Sequence, residues 1–276
     1  MSDLPGMIEK QGDSITGVER ALFIIEQLAG APDGLSFTEI LHLLSVNKSI
    51  AFRLLNTLIN TRYIFKNEVT GNYSLTYKIS NVGLRKMTGS RLLNQSQVIL
   101  RELADATGEF VRLAVAERDA ITWVLSILGR KRMLQIDPNY SLDIGLHTHA
   151  AGKAWLSTLD EAHAQRLILQ SGIQRMTQHS LVDLKKIMAN IRKTKLDGYA
   201  ISYEEHAIGV GAIGVPVIVP QMDGQTLCVG VVTLATPCVH MDRKALEASA
   251  PKIMETAEKL ASVWPYTESG AFYETV

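Results

Sequence analysis

Residues 36–60 contain two closely spaced helix-start signals, and these constrain the fold more than any other stretch of the chain. Ser36 is followed three residues later by Glu39, a capping-box pair that begins a helix. Ser45-Val46-Asn47 is then a brief break that ends on a second N-cap residue. Two short helices joined by such a brief turn predict a helix-turn-helix.

A helix before this motif and a hairpin after it complete the pattern of a winged helix. Residues 16–30 carry apolar side chains at three- and four-residue intervals, and Thr16 with Glu19 predicts a further capping box. Tyr63–Phe65 and Tyr73–Leu75 flank a turn-rich segment, which predicts a small β-hairpin. A core of this size is marginal alone, and the first helix offers a surface for a dimer partner.

The helix that follows Asn47 is the strongest candidate for a functional surface. An α-helix fits the major groove of DNA, where its first-turn polar residues reach base edges and cations meet phosphates. Between Ser45 and Lys78 there are five basic residues and one acidic residue, a net charge of +4, although the whole chain is neutral. A solvated face with chance clustering of charge is the alternative. The predicted DNA-binding residues are Ser36, Asn47, Lys48, Ser49, Phe52 and Arg53, with Lys66 and Asn72 on the hairpin.

Beyond the hairpin the pattern changes to a helical segment and then to a mixture of strands and helices. Residues 79–107 predict a linker helix, interrupted near Gly83 and Gly89. The strands that follow come in hairpins with segregated helices, which favours an antiparallel α+β sheet over a parallel doubly wound one. The predicted strands are 110–116, 121–128, 199–202, 212–219 and 227–235, and the predicted helices are 149–158, 160–170, 181–196 and 242–263.

The glycine-rich run Gly209–Gly214 matches the GxGxxG pattern of dinucleotide-binding loops, but the residues after it exclude that function. The dinucleotide motif needs a helix directly after it, so that the pyrophosphate meets helix N–H groups. Here Val215–Pro220 follows, an apolar stretch with two prolines that cannot form a helix. Close backbone approach around a pocket explains these glycines better, and no cofactor is predicted.

Metal binding and catalysis are weaker alternatives for the same half of the chain. His147 and His149 have the spacing of two metal ligands on one strand or loop. The other candidate ligands are His206, Cys228 and His240. Glu204 and Glu205 are candidates for a general acid–base pair, but adjacent carboxylates on a loop usually diverge, and no nucleophile–base spacing accompanies them. We expect structural or pocket-lining roles for these residues and a buried, inert thiol at Cys228.

Composition favours an intracellular globular protein. Of the residues, 46% are hydrophobic, and the two cysteines, Cys228 and Cys238, are too few for a disulfide framework. Residues 1–20 are charged and lack the apolar centre of a secretory signal. The longest apolar stretches fall well short of the ~20 residues that a membrane helix needs. We therefore expect a cytoplasmic location.

Three groups of residues, in the right order, resemble the IclR family of bacterial transcriptional regulators. In the winged-helix half the family pattern is matched by Ser36, Glu39-Ile40, Lys48-Ser49, Arg53-Leu54-Leu55, Leu58, Tyr63, Tyr73, Leu75 and Val82-Gly83. In the C-terminal half, HTHAAGKAWLS at 147–157, DGYAISYEEHAIGVGAIGVPV at 197–217 and VGVVTLATP at 229–237 are similar to family motifs. The resemblance spans residues 17–263.

This resemblance implies a domain organisation and a function. It implies a winged helix-turn-helix at 15–78, a linker helix at 79–107, a GAF-like effector-binding domain at 108–264 and a C-terminal tail at 265–276. It also implies a repressor or activator, rather than an enzyme, that binds operator DNA and a small organic acid. Dimers through the winged helices, and often tetramers through the effector domains, follow from the same resemblance.

The resemblance also implies an effector pocket. Its implied lining residues are Met133, Thr148, His149, Ala150, Ala151, Ser202, Glu204, Ile208, Gly209, Ala212, Thr233 and Ala235. Of these, Met133 is expected on a strand that follows residues 130–132. Family pockets often carry an acidic residue, a cysteine and a serine where Ser202, Ala212 and Ala235 stand, so this pocket is less polar. We therefore expect a ligand with one carboxylate and an apolar body, such as an aromatic acid, held by helix N–H groups near Ala150–Lys153.

Two other classes of function stay open at this point. One is an enzyme whose C-terminal domain uses Glu204, Glu205 or the histidines, although the chain offers no nucleophile–base pair. The other is a sensor or scaffold module whose winged helix contacts a protein instead of DNA. The basic stretch between Ser45 and Lys78 argues against this second alternative.

Overall fold

The computed structural model describes residues 15–130, 133–137, 143–221 and 224–265. The chain divides into two units, Met1–Gly89 and Ser90–Val276. Most of the predicted C-terminal tail, residues 266–276, and the basic pair at 131–132 lie outside the described residues. Among the described residues, no helix has both the length and the apolar character needed to cross a bilayer.

The first unit contains the predicted winged helix-turn-helix. Its elements are α1 (Thr16–Ala29), α2 (Phe37–Leu44), α3 (Lys48–Asn60), β1 (Ile64–Lys66), β2 (Tyr73–Leu75) and α4 (Lys78–Thr88). The two strands pair antiparallel, with Ile64 opposite Leu75. The predicted hairpin and the order of helices are therefore confirmed.

Local side-chain caps set the starts of α2 and α3, as the sequence predicts. Ser36 and Glu39 form a complete capping box: the Glu39 backbone N–H donates to Ser36 Oγ, and the Ser36 N–H donates to Glu39 Oε2. Asn47 Oδ1 accepts a hydrogen bond from the Ile50 N–H at 3.0 Å. These bonds satisfy N–H groups that the first helical turn leaves without partners, so both helices begin at fixed residues.

Two predictions about helix boundaries in this unit were wrong. The cap of α1 is Ile15, which makes no side-chain cap bond, so Thr16 and Glu19 do not form a capping box. The linker segment is not interrupted at Gly83, because α4 runs through it to Thr88 and ends at Gly89. Glycine lowers helix propensity by about 1 kcal/mol, which a single helix position tolerates.

The second unit is a five-stranded sheet with helices on both faces. Its elements are α5 (Arg91–Thr107), β3 (Phe110–Glu117), β4 (Ala120–Ile127), α6 (Ala150–Leu156), α7 (Glu161–Ser171), α8 (Leu184–Asp197), β5 (Ala200–Tyr203), β6 (Val210–Pro220), β7 (Thr226–Pro237), α9 (Arg243–Ala248) and α10 (Ala250–Val263). The strand order is β4-β3-β7-β6-β5, and every neighbouring pair is antiparallel. The predicted antiparallel α+β sheet is confirmed.

Strand alternation gives this sheet two different faces. Val111, Leu113 and Leu234 are fully buried against α5 and α10. The residues between them, including Arg112 and Thr233, point to the opposite face, since successive side chains of a strand alternate. That second face carries α6 and α8, and the first residues of α6 help to line the candidate cavity there.

Two expectations in this unit need correction. The predicted C-terminal helix over 242–263 is two helices, α9 and α10, because the backbone turns at Ser249 and Pro251 stands in the first turn of the second. Met133 does not lie on a strand: its segment is irregular and its side chain is fully exposed.

Candidate effector cavity and nucleic-acid interface

A cavity of about 540 Å³, its open mouth included, lies on the α6 face of the sheet. Its floor is formed by residues from two neighbouring cross-strand rows. Ser202, Ala212, Ala235 and Phe110 lie opposite one another on β5, β6, β7 and β3. The next row places Gly214, Thr233, Arg112 and Ser126 opposite one another. Residues of all five strands of this sheet thus meet at one site.

Arg112 is the cationic group of this cavity. The residue is 5% exposed, its Nε donates to Ser126 Oγ at 3.2 Å, and its guanidinium carbon lies 3.9 Å from the Trp123 ring centroid. Burial lowers the pKa of Arg112 to about 10, so the side chain stays charged at neutral pH. Among the described residues that line the cavity, none is acidic. The cavity therefore combines a buried positive charge with an aromatic wall.

Two imidazoles in contact, tilted by 38° relative to one another, form another part of the wall. The His149 and His206 ring centroids are 3.8 Å apart. His149 Nδ1 accepts a hydrogen bond from the Gly145 N–H at 2.8 Å, so the proton of the neutral ring is on Nε2. Burial lowers the pKa of His149 to about 3, and burial also lowers the pKa of His206. Both rings are thus neutral at physiological pH.

The start of α6 packs directly on the sheet because two glycines leave room for it. A Cβ on Gly214 would lie 2.8 Å from the carbonyl oxygen of Ala150, and a Cβ on Gly152 would lie 2.5 Å from that of Leu146. Ser202 Oγ donates to the Thr148 carbonyl at 2.6 Å and joins β5 to the loop before the helix. Gly214 therefore serves close packing, and a strand, not a helix, follows it.

A buried ion pair connects α6 with the loop after β5. Lys153 Nζ lies 2.5 Å from Glu205 Oε2 and donates to the Ile201 carbonyl at 3.2 Å. Lys153 is 1% exposed, and its burial lowers its pKa while the Glu205 carboxylate opposes that shift. The Glu205 carbonyl in turn accepts a hydrogen bond from Ser180 Oγ at 2.6 Å. The pair thus fixes the loop that presents His206 to the cavity.

The structure brings most, but not all, of the sequence-predicted pocket residues together. The predicted residues that line the cavity are His149, Ala150, Ala151, Ser202, Ala212, Thr233 and Ala235. Thr148 is buried beside it and lines a second cavity, where its Oγ1 lies 3.3 Å from His206 Nδ1. Glu204 accepts a hydrogen bond from the Gly209 N–H, Ile208 is 59% exposed, and Met133 points to solvent. Gly209 is not among the lining residues either, so five of the twelve predicted residues do not line the cavity.

Several lining residues were missed from the sequence. They are Phe110, Arg112, Trp123, Ile136 and Val210. A signal for the arginine is present, because Arg112 stands inside an otherwise apolar strand, where a charge is expected to have a specific partner. The strand register that brings it to Thr233 could not be read from the sequence.

The candidate metal ligands do not form one cluster. His240 Nδ1 lies 3.2 Å from Glu109 Oε1, whereas the His149 ring contacts the His206 ring. Within the described ranges, no group of three or more His, Cys, Asp or Glu side chains has the arrangement of a metal site. Cys228 Sγ contacts the Gly230 carbonyl, and burial raises the pKa of its thiol to about 11, as expected for an inert thiol.

The outer face of α3 is a candidate nucleic-acid interface. Ala51, Leu55 and Leu58 are buried, while Ser49, Phe52 and Arg53 are exposed on the opposite side. Asn47 and Lys48 are exposed at the start of the helix, although the Asn47 side chain is occupied by its cap bond. The predicted orientation of this helix is therefore confirmed.

The remaining predicted DNA-binding residues have different surroundings. Ser36 is half-buried and engaged in its capping box. Lys66 is exposed at the end of β1, with its Nζ 5.6 Å from the Tyr73 ring centroid. Asn72 Nδ2 donates to the Asp33 carbonyl at 3.1 Å and ties the hairpin to the loop before α2. Lys78, counted in the basic stretch, donates to the Thr61 carbonyl and so has a structural role.

Comparisons with known proteins cover both units. Residues 17–68 match the IclR helix-turn-helix domain, and residues 85–262 match the C-terminal domain of the bacterial transcriptional regulator IclR. The chain is 26% identical over 218 residues to the HTH-type transcriptional regulator KdgR of Dickeya chrysanthemi, covering 76% of this chain and 68% of that protein. It is 23% identical over 245 residues to the HTH-type transcriptional repressor AllR of Escherichia coli, covering 89% of each chain.

Solved structures give the same result for the fold. An IclR transcriptional regulator from Alicyclobacillus acidocaldarius has a TM-score of 0.74 at 22% identity, covering 91% of this chain and 99% of that one. An IclR-family regulator from Brucella abortus has a TM-score of 0.73 at 21% identity, covering 96% and 100%.

Proposed function

This chain belongs to the IclR family of bacterial transcriptional regulators, with a helix-turn-helix DNA-binding domain and a C-terminal effector-binding domain, and from that premise we propose how each unit works. We propose that α3 enters the major groove of an operator and that the hairpin contacts the neighbouring backbone. We further propose that the cavity around Arg112 binds a small carboxylate with an aromatic or apolar body. The relatives named above are regulators, not enzymes.

The exposed face of α3 supports the DNA-binding part of the proposal. Ser49 and Arg53 lie one helical turn apart on the side opposite the buried leucines. Arg53 is placed to contact a phosphate or a guanine edge, and Phe52 offers an apolar contact to a thymine methyl. Asn47 and Ser36 fix helix starts, so we propose that they act mainly by positioning α2 and α3.

The buried guanidinium of Arg112 is the observation that carries the effector part. A carboxylate is the group that an arginine fork binds best, and burial strengthens this interaction because water does not compete for it. Trp123 and Phe110 provide ring faces for an apolar ligand body. Because His149 and His206 are neutral, they add no positive charge to that of Arg112, which favours a ligand with one carboxylate over a ligand with two. A solved double mutant of the inducer-binding domain of PobR from Acinetobacter, 22% identical with a TM-score of 0.53, is in complex with 3-hydroxybenzoic acid.

We propose that the protein works in the cytoplasm as a homodimer or homotetramer. The outer face of α1 supports this, because Ile15, Val18 and Leu22 are all more than half exposed there. A ligand that binds more tightly to one arrangement of two DNA-binding units than to another would change operator affinity by that difference.

DNA binding is tested by gel-shift titration with the intergenic DNA upstream of the protein's own gene, at two salt concentrations. Specific binding should exceed that of a random fragment of equal length. Ser49→Ala and Arg53→Ala should each weaken operator binding by about tenfold, since a good base contact is worth about 1–3 kcal/mol. Arg166→Ala, an exposed arginine on α7, is the matched control and should leave binding unchanged. Equal affinity for operator and random DNA would refute this part.

Effector binding is tested by calorimetry with 3-hydroxybenzoate and its neutral isostere 3-hydroxybenzamide. We expect the acid to bind at least tenfold more tightly than the amide. Arg112→Met, which keeps the length and apolar volume of the side chain, should remove this preference. A preference that survives in Arg112→Met, or tighter binding of the amide, would refute the assignment of Arg112.

A further inference from the structure

A second cavity lies on the other side of the loop that borders the effector cavity. It encloses about 900 Å³, its open mouth included, and its wall runs from Asp143 to Thr148 and from Ser171 to Met176. His206 lines both cavities. Unlike the first cavity, its described wall contains no lysine or arginine and does contain the acidic Asp143. The two cavities therefore offer different chemistry to a ligand.

His147 on this wall has a buried nitrogen without a hydrogen-bond partner. The residue is 4% exposed, and its Nε2 lies 3.0 Å from the carbonyl oxygen of Gln174. A carbonyl only accepts, so Nε2 carries the proton and Nδ1 of the neutral ring is an acceptor. Nδ1 has no partner. A buried polar atom without a partner is unfavourable and calls for an explanation, such as a group that is present only when a ligand is bound.

We propose that this second cavity is a separate binding site for a small ligand that donates an O–H or N–H hydrogen bond to His147 Nδ1. The imidazole ring lies on the wall and is held by a single hydrogen bond at Nε2, so a small shift of the ring presents Nδ1 to the ligand. A simple carboxylate anion has no donor for this nitrogen. The ligand is thus a neutral hydroxylated compound or an ammonium ion.

The shared wall predicts an interaction between the two sites. Thr148 Oγ1 lies 3.3 Å from His206 Nδ1, and the His206 ring contacts the His149 ring in the effector cavity. A ligand that moves His206 from one side changes the space available on the other. Any such coupling is reciprocal, because each ligand changes the affinity of the other by the same factor.

The test uses the full chain with ¹³C-methyl-labelled methionine, since the Met176 methyl reports on the second cavity. The probes are xylitol, which donates through O–H, ethylammonium, which donates through N–H, and 1,4-dioxane, which only accepts. We expect xylitol or ethylammonium to give a saturable shift of the Met176 methyl, and dioxane to give none. The solvent-exposed Met133 methyl is the control for bulk effects. Which probe binds identifies the donor group.

Two variants test the role of His147 itself. His147→Gln keeps a donor where Nε2 meets the Gln174 carbonyl but removes the Nδ1 acceptor, so binding of the probe should weaken about tenfold. His147→Asn keeps an acceptor oxygen near the Nδ1 position and should lose less. Because either variant can be unstable, the ¹⁵N resonance of Nδ1 in the unmodified protein is a second measurement, and it should move upfield when the donor binds.

The failure of this inference is distinguishable from failure of the proposed effector site. Binding of 3-hydroxybenzoate should persist in His147→Gln, while binding of xylitol or ethylammonium should persist in Arg112→Met. Absence of saturable binding by both donor probes would overturn the second site. Equal binding of dioxane, an unmoved Nδ1 resonance, or unchanged affinity in a folded His147→Gln variant would also overturn it.

Discussion

Replacing Lys153 by methionine should strongly destabilise the effector-binding unit. The substitution keeps the length and most of the apolar volume of the side chain, but it leaves the Glu205 carboxylate without its cation 2.5 Å away. Both groups are buried, and removal of one member of a buried pair costs about 3–5 kcal/mol because the other charge stays desolvated. For a unit of this size, such a loss corresponds to a decrease in Tm of roughly 10 °C.

Tryptophan fluorescence measures this loss without interference from the first unit. The three tryptophans of the chain, Trp123, Trp155 and Trp264, all lie in the second unit. Trp155 is buried on α6, two residues from Lys153. Urea and thermal unfolding followed by this signal therefore report on the unit that contains the pair. Lys252→Met, an exposed lysine on α10, is the matched control and should change stability by less than about 0.5 kcal/mol.

A double-mutant cycle separates the charge effect from a loss of packing. With Glu205→Met added, no unpaired charge remains, and the double variant should recover at least half of the stability lost by Lys153→Met. Additive losses, or a loss in Lys153→Met below about 1 kcal/mol, would refute the argument that an uncompensated buried carboxylate dominates.

Three further predictions concern other parts of the second unit. Burial holds the pKa of His149 at about 3 in the folded protein, whereas the unfolded side chain has a pKa of about 6.5. As the pH falls below 6.5, His149 is protonated in the unfolded chain but not in the folded one, so the free energy of unfolding decreases. Between pH 7 and pH 5 the free energy of unfolding should fall by about 2 kcal/mol because of this histidine. Urea unfolding of His149→Gln should lack this fall, and an equal pH dependence in the two proteins would contradict the assignment. Gly152→Ala should cost about 1–3 kcal/mol in the fluorescence assay and weaken 3-hydroxybenzoate binding, because its Cβ would meet the Leu146 carbonyl; unchanged values would contradict that contact. Burial raises the pKa of Cys228 to about 11, so iodoacetamide at pH 8 should alkylate Cys238 before Cys228. Mass spectrometry of the digested protein identifies the alkylated cysteine, and earlier alkylation of Cys228 would refute the argument from burial.

Local signals predicted the first unit well. Ser36 and Asn47 cap their helices through bonds that span three residues, so the information lies within one helical turn. Thr16 and Glu19 have the same three-residue spacing, but Ile15 takes the cap position and the threonine is the first residue of the helix. One residue decides whether a hydroxyl reaches the free N–H groups, and the pattern alone does not fix that residue.

The effector cavity was only partly predictable, because its floor depends on strand register. Family resemblance located Ser202, Ala212 and Ala235, which lie in one row of the sheet. Phe110 completes that row from β3, and its place is set by pairing with a strand more than a hundred residues later in the chain. No periodicity within a strand specifies which residue faces it on the next strand. Arg112 was missed for the same reason.

The two cross-strand rows under the cavity have a consequence for dynamics. A ligand that lies on them touches β3, β5, β6 and β7 at once, so none of these strands can separate from its neighbour without first losing the ligand. Amide protons throughout the sheet, including those far from the ligand, should therefore exchange with deuterated water more slowly in the complex. Ligand binding in one small cavity would in this way slow local opening of the whole sheet.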